Sequence, residues 1–183
     1  MYSLLQRLNL VSATATTGLL VLLPLVMFSA WLKMPSVLPT ADIRVYDVQV
    51  AHGSYDHNLY KGGAAWDHVF ASIDLDADLT PLFTWNTKQL FVNLVAEYDT
   101  KMHTGNQVTV WDTIVRSPAE AKLKLRGQRR KYILTDIRRH ITSGQSMNLT
   151  LHWSLMPWVG VMTSGQQSGV GATFTLPAAE REK

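Results

Sequence analysis

The sequence predicts a mainly β protein: an immunoglobulin-like β-sandwich ectodomain preceded by one N-terminal transmembrane helix. Three observations carry that prediction. Residues 8–32 hold no charged side chain. Beyond them, short segments alternate apolar and polar residues, and none sustains a helical period. The 183 residues include no cysteine, so packing rather than disulfides must join the sheets. A domain of about 150 residues buries enough surface to do that. The expected organisation is a tail at 1–9, a spanning helix at 10–32, a linker at 33–40, a sandwich at 41–177 and a tail at 178–183.

The uncharged run between Arg7 and Lys33 is 25 residues long, from Leu8 to Leu32. At about 1.5 Å per residue it covers roughly 37 Å, against about 30 Å of hydrocarbon. It exceeds the apolar core of a cleaved signal peptide, and Phe28 before Ala30 spoils a small-x-small cleavage site. The first half is mildly apolar, with Ser12, Thr14, Thr16 and Thr17; the second half is strongly so. Pro24 lies inside it and predicts a bend rather than a break, because lipid-buried helices re-satisfy the freed carbonyl. Trp31 and Lys33 suit an interfacial exit.

Pro35 and Pro39 stiffen the linker. Residues 43–50 read as a strand whose alternation slips once between Val45 and Val48, which predicts a bulge. Residues 51–65, with Gly53, Gly62 and Gly63, read as a loop. Residues 69–79 alternate cleanly, with Val69, Ile73 and Leu75 on one face and Asp74, Asp76 and Asp78 on the other. The aspartates must meet solvent or a basic partner. Residues 89–98 and 108–115 predict a hairpin turning at Gly105-Asn106. Two short strands about a Gly127 turn are expected in the basic stretch 119–139. Residues 147–155 and 170–176 close the sandwich, with Trp153 in phase with the core and Trp111 out of phase with Val108 and Val110.

Residues 116–139 hold 9 of the 17 Lys and Arg residues, against Glu120 and Asp136 alone. A solvated strand face and a contact with anionic lipid are the two readings. Nucleic acid is disfavoured, because Tyr132 is the only aromatic there and single-strand binding needs stacking platforms. His52 and His57 flank Asp56, but a loop with no third ligand is a poor metal site. No metal and no cofactor is expected. Ser146, the candidate nucleophile, turns outward beside inward Met147, with no base at a diagnostic spacing. Residues 165–169 lack G-x-S-x-G spacing. An enzyme is therefore not expected. Trp158 lies in the apolar stretch 155–162, which reads either as an exposed protein or membrane contact or as a buried loop.

Trp85-Asn86, Lys88-Gln89-Leu90-Phe91, Ala96-Glu97-Tyr98, Asn106-Gln107-Val108 and Trp111-Asp112 occur in that order. They resemble the central signature of the signal peptidase complex subunit 3 family. Trp153, Pro157 and Gly160, with Thr150-Leu151-His152, resemble that family's last conserved block. The resemblance implies a glycosylated, non-catalytic subunit of the endoplasmic reticulum membrane, with a cytosolic N-terminus and a lumenal sandwich. The implied partners are the catalytic serine-protease subunit, the other small membrane subunits and the translocon. Asn148-Leu149-Thr150 is the single N-x-[ST] sequon, and its alternation turns Asn148 outward. The pair 89–98 and 108–115 is the expected partner surface. The competing class is a translocon-associated immunoglobulin-like adaptor, which shares anchor, fold and sequon but lacks the signature at 85–91.

Overall fold

The computed structural model describes residues 3–33, 39–53, 66–100, 103–129, 131–132, 134–136, 144–167, 171–177 and 180–181. Helix α1 runs Leu4–Leu32, starting six residues earlier than the expected span. A capping box starts it: Gln6 N–H donates to Ser3 Oγ, and Ser3 N–H donates to Gln6 Oε1, both at 3.3 Å. That satisfies two of the amides a helix start leaves open. Thr14, Thr16 and Thr17 each donate a hydroxyl to the carbonyl four residues back, at 2.8–2.9 Å. Those hydroxyls are thereby partnered without water, which makes the Thr-rich half compatible with lipid. The helix passes through Pro24 without interruption, and none of its residues is buried by the rest of the chain. An all-round apolar helix with no protein cover suits a bilayer.

Among the described residues ten strands follow: β1 (Thr40–Gly53), β2 (Trp66–Asp78), β3 (Thr87–Tyr98), β4 (Asn106–Val115), β5 (Lys122–Arg129), β6 (Leu134–Asp136), β7 (Ser146–Pro157), β8 (Thr163–Gln166), β9 (Ala172–Thr175) and β10 (Glu180–Arg181). The first sheet has the order β10-β1-β2-β5, with β6 also on β2. The second has the order β4-β3-β7-β8, with β9 also on β7. All pairings are antiparallel except β1 with β10. Ile73 and Leu75 of the first sheet share one core with Leu94, Leu151 and Trp153 of the second. The mainly β fold of two facing sheets behind one apolar helix matches the sequence expectation.

Three bulges, in β1, β4 and β5, shape the sheets, and a fourth register shift leaves Lys88 as an extra residue between Thr87 and Gln89 against β7. The β1 slip is real: register shifts between Tyr46 and Gln49, and Asp47 has φ of 51°. In β4, Leu94 faces Trp111 but Val95 faces Thr109, so Val110 is an extra residue. The insertion returns Trp111 to the core side, which is why Val110 and Trp111 are both buried. In β5, Leu125 faces Leu75 and Gln128 faces Ile73, so two residues oppose Asp74. Gly127 sits in this bulge with φ of 59°. The expected turn between two short strands is therefore corrected: β5 is one strand through Gly127. A bulge and a turn both use a left-handed glycine, so the local sequence signal is the same.

The aspartate row of β2 meets a basic partner within the chain. Gly127 N–H donates to Asp74 Oδ1 at 2.7 Å, and Tyr46 Oη donates to the same oxygen at 3.1 Å. Arg126 pairs with Asp76 at 3.2 Å, and Lys122 stands opposite Asp78. Lys122, Lys124, Arg126 and Arg129 are exposed on β5, as a solvated strand face requires. The His52, Asp56 and His57 group falls on side chains outside the described residues.

Gly165 faces Trp153 across β7 and β8, and a Cβ there would lie 2.5 Å from Trp153 Cζ2. Gly165→Ala is expected to cost about 1–3 kcal/mol by overpacking. A lowered midpoint of urea unfolding checks this.

The Gly127 N–H bond, followed by the Tyr46 hydroxyl and the charges of Arg126 and Arg44, holds the Asp74 carboxyl below 3.8 against the opposing cost of burial. Its stabilisation is complete above pH 3.8 and is lost as pH falls through the lower folded value. Asp74→Asn keeps the acceptor and removes the charge. The gap in melting temperature between wild type and this variant is expected at neutral pH and should close below pH 3.8.

Candidate functional site

The signature residues gather where β3 begins and where the β3–β4 hairpin turns. Asn86 is buried at 4% exposure just before β3. Its Nδ2 donates to the Val159 carbonyl at 2.7 Å, and Val159 N–H donates to Asn86 Oδ1 at 3.1 Å. Trp158 N–H donates to the Asn86 carbonyl at 2.8 Å. The side-chain amide thus imitates one more residue of the β3–β7 ladder and fastens the segment 158–162 that follows β7. Thr87 hardens the turn behind it: its hydroxyl donates to the Leu82 carbonyl at 3.0 Å, and Thr84 N–H donates to Thr87 Oγ1 at 3.0 Å.

Lys88 Nζ lies 5.3 Å from the Trp158 ring centre, a cation–π distance. Gln89 Nε2 donates to Met156 Sδ at 3.1 Å. Leu90 is core, and Pro157 stands opposite Thr87 at the end of β7. Trp85 is exposed, as are Trp158, Val161 and Met162. The exposed alternative for residues 155–162 therefore holds from Trp158 onward. An apolar cavity of about 240 Å³ separates this segment from the end of α1, lined by Met27, Ala30 and Trp31 on one side and Leu155, Pro157 and Val161 on the other.

At the opposite end, Asn106 Nδ2 donates to the carbonyls of Tyr98 and His103 at 3.1 and 3.0 Å. Gln107 Nε2 donates to Glu97 Oε1 at 2.7 Å. Half-buried Tyr98 packs against the core, and Trp111 and Trp153 lie within it. Asp112 anchors a strap. Lys131 Nζ reaches it at 2.7 Å, while Lys131 and Tyr132 N–H both donate to the bulged Val110 carbonyl. That bond, first among its causes, holds the Asp112 carboxyl below its ordinary range and raises Lys131 above its own. Most of the signature therefore builds architecture.

The outer face of the second sheet is largely polar. Register aligns four rows across it. Ile114, Phe91, Ser154 and Ser164 form the first, and Asp112, Asn93, His152 and Gln166 the second. Thr109, Val95 and Thr150 follow, then Gln107, Glu97, Asn148 and Thr173. The first two rows border a shallow depression of about 400 Å³. Asn148 Oδ1, Thr150 Oγ1 and His152 Nε2 occupy successive outward positions of β7, and all three are buried without a hydrogen-bond partner. The outward turn of Asn148 agrees with the alternation, but the side chain is half-buried against Gly171. Thr150 is buried at 6% exposure. Sequence reading missed β8 and the role of Thr87. The sole hint of β8 was Gly165 among small polar residues.

Among the described residues, fold and site define a β-sandwich module behind one apolar helix, with an exposed apolar segment beside that helix and a polar sheet face. A family model described as "Signal peptidase subunit" matches residues 1–179. The chain is 33% identical to signal peptidase complex subunit 3 of Saccharomyces cerevisiae over 188 residues, covering 100% of each. It is 30% identical to the protein of that name from Yarrowia lipolytica, covering 97% of this chain and 98% of the relative. The human protein of that name is 39% identical over 103 residues, 56% of this chain and 57% of its own length. The chain belongs to the signal peptidase subunit family.

Asn86→Ala removes both bonds to Val159 and leaves buried partners unmet, at about 1–3 kcal/mol. Faster hydrogen exchange is expected at Trp158 and Val159, with little change at Gln107. Trp85→Ala, at an exposed position, should leave both sites unchanged.

Proposed function

We propose that the chain is a non-catalytic subunit of the signal peptidase complex in the endoplasmic reticulum membrane. In this reading its N-terminus is cytosolic and its sandwich lumenal. The sandwich binds and stabilises the catalytic serine-protease subunit while signal peptides are removed from nascent secretory proteins. α1 shares the bilayer with the other small membrane subunits and, at the translocon, with the arriving signal peptide. Family membership and the names of the full-length relatives support the complex.

The outer face of the second sheet carries the contact: among the described residues it combines a broad polar surface with three buried polar atoms along β7 that lack a hydrogen-bond partner. Each such atom costs about 1–3 kcal/mol when unmet, and a partner that supplies the missing bonds recovers it. The hairpin of β3 and β4 contributes half of this face. Asn148 is the proposed glycan acceptor. Its position beside Gly171 requires the sugar to be added before β9 closes on β7. A glycan there occupies the Glu97–Asn148–Thr173 row, so the protease subunit sits on the rows of Phe91 and Asn93.

Asn93→Arg puts a bulky cation into that contact; Asp112 opposite it already holds Lys131, so the contact must bury added charge and bulk, at a cost of several kcal/mol. Tagged Asn93→Arg chain in mild detergent is expected to recover at least about tenfold less protease subunit than wild type. Glu97→Lys, in the glycan row, should recover a normal amount. Equal recovery by Asn93→Arg, with its melting temperature intact, sinks this assignment. Recovery of translocon components without the protease favours the adaptor class.

A further inference from the structure

We propose that residues 158–162 insert into the leaflet at which α1 ends, forming a second, shallow membrane contact. The inference rests on α1 spanning a bilayer and is independent of which proteins the sandwich binds. Trp158, Val161 and Met162 are 66%, 74% and 61% exposed. Three large apolar side chains at that exposure within five residues are costly in water: full burial of one such side chain is worth about 1.5–3 kcal/mol. The segment is not a loose loop, because Asn86 holds its start by three hydrogen bonds. It is presented rather than collapsed.

What covers it follows from its height along the helix. A Cβ on Gly160 would lie 3.4 Å from Met27 Cγ, so the backbone there stands beside the Met27 side chain. Met27 precedes Lys33 by six residues, about 9 Å of helix rise, inside the strongly apolar half of the span. A segment beside the helix at that level stands at the depth of the acyl chains, not beyond the head groups. Trp31 and Trp158 then occupy one interfacial belt, where amphipathic rings concentrate. Lys88 over the Trp158 ring places a cation at head-group level, with its stem along the apolar surface. The φ of 121° at Gly160 gives the turn that aims Val161 and Met162 away from the sandwich.

The absence of cysteine makes a direct test simple. Full-length chains with Met162→Cys, Thr104→Cys or Leu22→Cys each take one environment-sensitive fluorophore and enter phosphatidylcholine vesicles. Leu22 reports helix insertion, and Thr104 lies in the turn at the far end of the sandwich. Blue-shifted Met162 emission is expected, lost in vesicles whose lipids carry a nitroxide at a shallow acyl position. The Thr104 probe should keep its aqueous emission in both. A Met162 probe that matches Thr104 while Leu22 is quenched overturns the proposal. Shielding gained only in the assembled complex overturns it too, assigning the segment to a protein partner. Val161→Cys gives a second reading if the Met162 variant loses its thermal transition.

Discussion

Asn86 and Val159 form the junction on which the membrane-proximal end depends. A strand can extend its ladder only where a partner strand supplies peptide groups. Here a carboxamide supplies them: it donates to one carbonyl and accepts from one amide of the same residue. The geometry requires an amide, since a carboxylate cannot donate and an aliphatic chain can do neither. Burial raises the stakes, because each unmet group in that site loses its water as well. The course of the chain after Pro157, the position of Gly160 against Met27, and the cavity beside Trp31 all follow from this bond pair. Thr87 and the turn at Thr84 keep Asn86 itself in place.

The three bulges show what a linear pattern reveals about register. The β1 slip was legible because it broke the apolar phase between Val45 and Val48. The β4 bulge was legible only as a conflict, since Val108, Val110 and Trp111 cannot share one face of a regular strand. The structure resolves that conflict by one extra residue at Val110, whose carbonyl is turned out to receive Lys131 and Tyr132. The β5 bulge was misread as a turn. Nothing local separates the two, because the deciding groups are Asp74 and Tyr46, about 50 and 80 residues away in sequence.

Alternation placed Leu90, Leu151 and Trp153 in the core because a half-buried strand writes its burial into every second residue. The outer face of the second sheet was not legible in the same way. Its rows draw one residue from each of three or four strands, and only the pairing register decides which residues meet. β8 escaped notice because a four-residue edge strand of small polar residues has no apolar phase to display. The signature at Trp85 to Asp112 identified the family from the sequence, yet its residues mostly close turns, anchor a strap or fill the core. The proposed contact face accordingly draws on neighbours of the signature such as Asn93, Ile114 and His152.

One short stretch of chain joins the helix to the sandwich. α1 ends at Leu32 and β1 begins at Thr40, so seven residues join them. Seven residues reach at most about 25 Å, which keeps the sandwich near the bilayer but leaves its tilt and rotation free. A tether alone cannot aim a sheet face at a partner held in the same membrane. A second contact away from the tether can, because two fixed points leave one rotation where one point leaves three. The segment 158–162 is such a point: it is stiffened by Asn86 and stands beside the Met27 side chain. Its lipid contact removes much of the remaining freedom, since Trp158, Val161 and Met162 face the bilayer together in only a narrow range of tilts. The outer sheet face is then presented in a consistent orientation before any partner arrives, so less orientational entropy remains to be lost on assembly.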